Sequence, residues 1–329
     1  MKKLLLAVAV SSVAAGSANA ATIYEKDGFT YKLNGDFQVQ MRQSIGVDER
    51  ADVDFDDLEL KNYVSYDLGN DLTAFGRVDF GFKDYANGKD ADDRDLLEEA
   101  YVGMKYGVAS FSFGKQNFAG DEFGIEEAYE VETIDEDRFD GIGTDGDDTV
   151  RVDIELDKVY IAASHNMATD DEEFYDLFVG TEIAGLELAA AYQQYRPVDT
   201  ALDGDSVGTY GISAAYDFGF ISLAADYSVS DWTDDDTVSW TEEDMTQYNV
   251  AAVFAVASTT DVAVGMGNKD SDVDGYKDVT EWYANVTYKF PEAKNVSVFA
   301  EVADSDYEDP DANDEEVDMG FLAGLRVKF

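Results

Sequence analysis

From Tyr31 the chain alternates residue by residue. Tyr31, Leu33, Phe37, Val39 and Met41 interleave with Lys32, Asn34, Asp36, Gln38, Gln40 and Arg42. Successive side chains of a strand point to opposite faces, so this run reads as a strand with one apolar and one polar face. Leu72, Ala74, Val78, Phe80 and Phe82 repeat the pattern against Thr73, Arg77, Asp79 and Lys83. It returns in Ile183 to Tyr195, Val207 to Phe218, Thr246 to Val256, Val279 to Phe290 and Asn295 to Ala303. Runs of about ten residues suit strands that cross a bilayer at a tilt. The three prolines, Pro197, Pro291 and Pro310, fall between runs, where no ladder donor is needed.

The connections divide into two kinds. Short ones such as Leu68-Gly69-Asn70, Tyr106-Gly107-Val108, Leu156-Asp157-Lys158, Ala184-Gly185 and Phe218-Gly219 alternate with long acidic ones. The long ones lie near 43–50, 84–95, 119–148, 167–174, 196–206, 231–245, 268–278 and 304–316, and hold 46 of the 72 acidic residues. Eight long loops and seven short turns join about sixteen antiparallel strands with both ends on one side. That is an all-β, 16-stranded transmembrane barrel with short periplasmic turns and long extracellular loops. A soluble sandwich has no reason to place its acid on alternate connections.

Composition fits this division. The 329 residues carry 72 acids against 23 bases, a net charge of −49, yet 45% are hydrophobic and 13% aromatic. Acidic disordered chains are poor in aromatics. A nucleic-acid grip needs clustered Lys and Arg, which excludes that class of partner. Without cysteine there is no disulfide, thiolate nucleophile or Cys-ligated zinc. Lys2 and Lys3, the apolar Leu4 to Val13 and the Ala18-Asn19-Ala20 site read as a secretory signal peptide over residues 1–20. Cleavage after Ala20 leaves a barrel domain over 21–329, exported through the Sec pathway, with 21 bases against 72 acids.

The last strand alternates Phe321, Ala323, Leu325, Val327 and Phe329 with Leu322, Gly324, Arg326 and Lys328. Gly324, Val327 and the terminal Phe329 resemble the signal read by the outer-membrane barrel assembly machinery. The start, Ala18 to Gly28, together with Asp67-Leu68-Gly69-Asn70-Asp71-Leu72 and Phe111-Ser112-Phe113-Gly114-Lys115-Gln116, resembles the trimeric general porins of Gram-negative bacteria, closest to a marine Vibrio-type branch. The resemblance spans the whole chain.

That resemblance implies a homotrimer in the outer membrane, set among lipopolysaccharide and outer-membrane lipids, with a third loop folded inward to narrow the lumen. It also implies passive diffusion of ions and small hydrophilic solutes. In the family, acids on the third loop face bases on the opposite wall. Here Asp121, Glu122, Glu126 and Glu127 stand on that loop, with Arg138 its only base. Lys115 matches the family's fifth-strand base. Positions that carry bases in enteric members are Asp36, Glu59 and Glu98 in this chain. Lys32, Arg42, Arg77 and Arg151 are the remaining wall candidates, inward by alternation. The excess of acid leads to an expectation of cation selectivity. A solute-specific channel of similar fold is one alternative, and an acidic surface or adhesion barrel bridged by divalent ions is another.

Two local patterns point elsewhere and carry less. Asp270, Asp272, Asp274, Asp278 and Glu281 fit the spacing of a calcium loop. The flanks are strands instead of helices, and Lys277 puts a positive charge in the middle, so an acidic surface loop is the plainer reading. His165 is the only histidine, and its neighbour Ser164 projects from the opposite face of the same strand, which speaks against a hydrolase. Pairs such as Glu98-Glu99 and Glu126-Glu127 lack the spacing of an acid–base couple. Gly141-Ile142-Gly143 has no phosphate-loop context, and no cofactor is expected.

Overall fold

A computed structural model describes residues 21–89, 96–129, 133–169, 172–198, 206–233, 244–271, 277–307 and 317–329. The proposed signal segment therefore lies outside the described residues. The first half holds β1 (Ala21–Lys26), β2 (Phe29–Gln43), β3 (Asp52–Gly69), β4 (Leu72–Gly81), β5 (Leu97–Tyr106), β6 (Ala109–Asn117), β7 (Asp145–Glu155), β8 (Val159–Thr169) and β9 (Glu172–Ile183). The second holds β10 (Leu186–Pro197), β11 (Ser206–Asp217), β12 (Ile221–Thr233), β13 (Met245–Ala257), β14 (Thr260–Ser271), β15 (Val279–Phe290), β16 (Ala293–Ser305) and β17 (Gly320–Lys328).

Every neighbour is antiparallel, and β17 pairs with β2 to close a barrel of sixteen strands, β2 to β17. Closure satisfies every sheet edge, which hydrocarbon requires. The extra strand, β1, lies on the same edge of β2 as β17. Ala21 sits opposite Leu33, while the backbone of Phe329 exchanges hydrogen bonds of 2.9 and 3.0 Å with Gly35. The chain end and β1 thus run end to end.

The alternation is inverted relative to a globule. In β2, Gln38 and Gln40 are buried while Val39 and Met41 are exposed. In β12 and β13, Ser228 and Gln247 are buried while Leu223 and Val250 are exposed. Apolar side chains outside and polar ones inside suit a barrel with lipid around it and water within. Exposed aromatics gather where strands meet the short turns, at Tyr66, Tyr106, Phe218, Phe220 and Phe290. At the turn between β9 and β10, Ala184 and Gly185 both take positive φ, 55° and 83°, the geometry a two-residue hairpin needs.

The fourth loop differs from the sequence expectation. Strand pairing carries β8 to Thr169 and resumes at Glu172, so most of 167–174 is strand. Pro197 ends β10, also inside a strand, where the ladder runs out. Among the described residues no helix is long and apolar enough to cross a membrane.

Candidate functional site

The connection from β6 to β7, residues 118–144, is the third loop, and it is fastened to the inner wall. Its root is closed by Phe118 N–H donating to Thr144 O at 2.6 Å. From there inward side chains of successive strands bind its backbone. Ser164 on β8 accepts from Ala119 N at 2.7 Å, Gln193 on β10 donates to Gly143 O at 2.8 Å, and Ser228 on β12 accepts from Arg138 N at 3.1 Å. Gln247 and Asn249 on β13 donate to Glu136 O at 3.1 and 2.7 Å. On the far side Tyr283 and Asn285 of β15 hold Glu127 through its N–H and its carbonyl, at 2.9 and 2.6 Å. The Tyr129 ring stacks on Phe299 of β16 at 4.2 Å, and its N–H donates to the Glu301 carboxylate. The loop therefore spans the lumen from β7 to β16.

Arg151 departs from the sequence expectation of a wall base. Its guanidinium is buried beneath the loop root, paired with Glu122 and with Asp153 at 3.0 Å. It also donates to Tyr160 Oη at 2.9 Å and to the carbonyls of Asn117 and Phe118 at 3.2 and 2.8 Å. All its donor directions are spent on structure, and Glu122 is spent with it. Asp121 accepts from Asn117 Nδ2 at 2.7 Å. Glu126 and Glu127 lie on the stretch that crosses toward β15. Burial pushes the Glu127 carboxyl up to about 7, against the pull of Lys289. Burial, then the charge of Asp226, pushes Asp137 up to about 7.

Across from the loop, the wall from β17 through β2 to β5 is a charged surface. Arg326 pairs with Asp36 at 2.6 Å and with Asp57, and Lys328 reaches Asp36 at 3.0 Å. Arg42 lies 3.7 Å from Asp54, and Lys61 pairs with Glu59. Arg77 bridges Asp79 and Glu99 at 2.5 and 2.7 Å. Lys32 lies on the inner face by its register with Tyr63. Asp56 accepts from Gln38, and Glu98 lies over Gly81 beside Glu59. Carboxylates thus outnumber bases on this wall, and of Arg326, Lys328, Arg42, Lys61, Arg77 and Lys32 every base but Lys32 is in an ion pair. Lys105, nearer the turns, is matched by Glu155 at 3.1 Å.

Lys115 is a second correction. It pairs in register with Ala100 and shares the outward face of Phe111 and Phe113. Its ammonium is 3.2 Å from the exposed Asp147. Arg326, Lys328, Asp57 and Glu99 are wall residues that sequence reasoning did not single out. Strand alternation marks the first two; the others depend on register, which the sequence leaves open.

Of the calcium-like loop, Asp272 and Asp274 lie outside the described residues. Glu281 faces inward, and its Oε2 accepts from Thr133 N at 2.7 Å, Thr133 Oγ1 at 3.0 Å and Ile134 N at 3.2 Å. It serves the third loop, not an outer cation site, and among the described residues no three acidic or imidazole groups could hold a metal. His165 stacks on Tyr175 at 4.3 Å with Nε2 3.2 Å from Glu173, while Ser164 turns to the third loop. Gly324 leaves the space that the Phe299 ring fills, Val327 faces outward on β17, and the Phe329 ring covers Gly35 edge-on to Phe37.

Known proteins share both sequence and architecture with this chain. A family profile described as Gram-negative porin matches residues 6–310. Porin-like protein H of Photobacterium profundum is 26% identical over 350 aligned positions, covering all of both chains. Among solved structures, a loop-deletion mutant of OmpT, an outer membrane protein of Vibrio cholerae, superposes with a TM-score of 0.77 at 19% identity. It covers 92% of this chain and all of that one. The trimer form of OmpT gives a TM-score of 0.74 at 20% identity, over 92% of this chain and all of that one. A closed sixteen-strand barrel, apolar outside and charged within, agrees with the sequence match over nearly the whole chain: the protein belongs to the Gram-negative porin family.

Proposed function

We propose that this outer-membrane porin is a general diffusion channel that favours cations. The observation that carries the reading is the wall opposite the third loop, where carboxylates outnumber bases and every base but Lys32 is in an ion pair. Fixed charge along a narrow aqueous path raises the local concentration of the opposite ion. The third loop adds carboxylates on the other side of that path, while its only base among the described residues, Arg138, is buried against Ser230 and Asp135. Transport along such a path is passive diffusion, its direction set by the solute gradient.

The same reading covers processing and assembly. Ala21 lies opposite Leu33 and Phe329 opposite Gly35, so a chain running upstream along the strand would meet Phe329 within two residues. That supports removal of residues 1–20 before the barrel closes. The trimer form of the Vibrio cholerae relative supports a homotrimer. The apolar outer face fits lipopolysaccharide and outer-membrane lipids, and the terminal Phe329 fits recognition by the barrel assembly machinery.

Single-channel recording in planar bilayers tests this directly. Large conductance steps in threes are expected, with a cation preference that weakens toward 1 M salt as the screening length shrinks to about 3 Å. Steps blocked by one solute would favour a solute-specific channel; silence would favour a surface role.

A further inference from the structure

One row of the inner wall is built unlike the rest. Lys32 on β2 stands opposite Tyr63 on β3, Tyr63 opposite Arg77 on β4, and Arg77 opposite Tyr101 on β5. Bases and phenol rings therefore alternate along the row, as direct cross-strand neighbours with Cβ atoms about 5 Å apart. The row lies nearer the short turns than Asp36, Glu59, Asp79 and Glu99. A solute entering from the loops meets those carboxylates first.

The two bases of the row are employed differently. Arg77 is bound by Asp79 and Glu99 at 2.5 and 2.7 Å. Lys32 has no ion pair among the described residues. The carboxylates above it are taken, Glu59 by Lys61 and Asp36 by Arg326 and Lys328. Toward the turns Glu25 of β1 stands opposite Thr30, and no ion pair joins it to Lys32.

The rings differ too. Elsewhere on the inner face Tyr160, Phe178, Tyr283 and Phe299 pack against the third loop. Tyr63, Phe75 and Tyr101 pack on one another instead. Tyr63 lies over Phe75 with centroids 6.2 Å apart and planes at 21°, and Phe75 meets Tyr101 edge-on at 6.4 Å. Phe75 is sunk into the wall because Gly103, opposite it, leaves the space; a Cβ there would collide with the ring. The Tyr63 ring stays half-buried, a flat apolar face beside an ammonium. Small-molecule sites combine such faces with a few placed polar groups.

We propose that Lys32 and Tyr63 form a subsite for small solutes that carry a carboxylate on an aromatic ring, the ammonium taking the carboxylate and the phenol ring stacking on the solute. In benzoate one bond joins carboxylate to ring, a spacing suited to side chains that are direct neighbours. A contact of this kind is weak enough to release its solute, as a conducting path requires. The subsite goes beyond diffusion through a charged lumen, and either sign of small-ion preference leaves it standing.

Block of the potassium chloride current in planar bilayers tests it, with benzoate, phenylacetate, acetate or benzyl alcohol added on the turn side. Benzoate and phenylacetate are expected to reduce the current saturably. Acetate, which lacks the ring, and benzyl alcohol, which lacks the charge, should need at least about threefold higher concentrations. Lys32→Gln is expected to raise the half-blocking concentration of benzoate about fivefold, the scale of a water-exposed ion pair, and to leave that of benzyl alcohol in place. Tyr63→Leu should raise it about threefold and leave that of acetate in place, while Tyr63→Phe, which keeps the ring, retains the block. Lys105→Gln removes an equal charge near the turns from a base already matched by Glu155, and should leave benzoate block unchanged. Absence of saturable block, an unaltered half-blocking concentration in Lys32→Gln, or an equal shift in Lys105→Gln overturns the inference. Block by benzoate without block by phenylacetate marks a solute-specific channel and overturns it as well.

Discussion

The inner wall has two halves, and they treat the same inward-facing positions differently. Along β8 to β13 the third loop lies against the sheet, and the side chains beneath it are largely hydroxyls and amides: Ser164, Gln193, Ser228, Gln247 and Asn249. Along β17 and β2 to β5 the charges of Arg326, Asp36, Arg77 and Glu99 stand in ion pairs instead. Neutral donors and acceptors can be buried once each is hydrogen-bonded, whereas ions keep their charge cheaply only beside water or a matched partner. The loop's course therefore decides which half is scaffold and which half meets the permeating ion.

Arg151 should break the comparison most severely, since it is a base sealed on the scaffold side between two buried carboxylates. Arg151→Ala leaves Glu122 and Asp153 buried without their base, a loss of about 3–5 kcal/mol in comparable buried pairs. A lowered melting temperature of the folded protein in detergent, together with noisy conductance from a loosened loop root, is the expected result. Truncating Glu281 to Ala removes the acceptor for three donors of the loop tip. Roughly 1–3 kcal/mol is lost locally, and rapid partial closures should appear in single-channel records.

A subtler test uses pH. Asp137, on the sealed side, has a carboxyl raised to about 7 from 3.8, because burial and Asp226 penalise its ionised form. A raised carboxyl favours the folded loop while protonated. That contribution is fully present below about pH 4 and is lost as pH rises through about 7. Loop fluctuations are expected to increase across that interval, and Asp137→Asn should flatten the dependence. An equally steep pH response in the variant would show that the loop is not held in this way. The smallest effect is expected at Lys115, whose outward position predicts that Lys115→Gln leaves the permeability ratio unchanged within error.

The barrel was legible because its signals are local. Alternation in Tyr31–Arg42 and the contrast between Ala184-Gly185 and the long acidic loops need only neighbouring residues to be read. The charged wall was legible in part. Asp36, Arg42, Arg77 and Glu98 do face the lumen. Arg151 faces inward too, but what covers it is a loop whose path depends on partners as distant as Glu301. Lys115 followed the resemblance to the family, while its register with Ala100 sets it on the outer face. The doublets Asp56-Asp57 and Glu98-Glu99 shift the parity of the flanking apolar residues, from Phe55 to Leu58 and from Leu97 to Ala100. That parity slip is the sequence mark of a bulge. Which face gains the extra residue is decided by the neighbouring strand.

The central claim, that the lumen favours cations because its open wall is over-neutralised by acid, meets its most direct test in the zero-current potential of the purified channel across a tenfold potassium chloride gradient. The account predicts a potential negative on the concentrated side, the sign set by potassium crossing ahead of chloride. A potential of the opposite sign would contradict it.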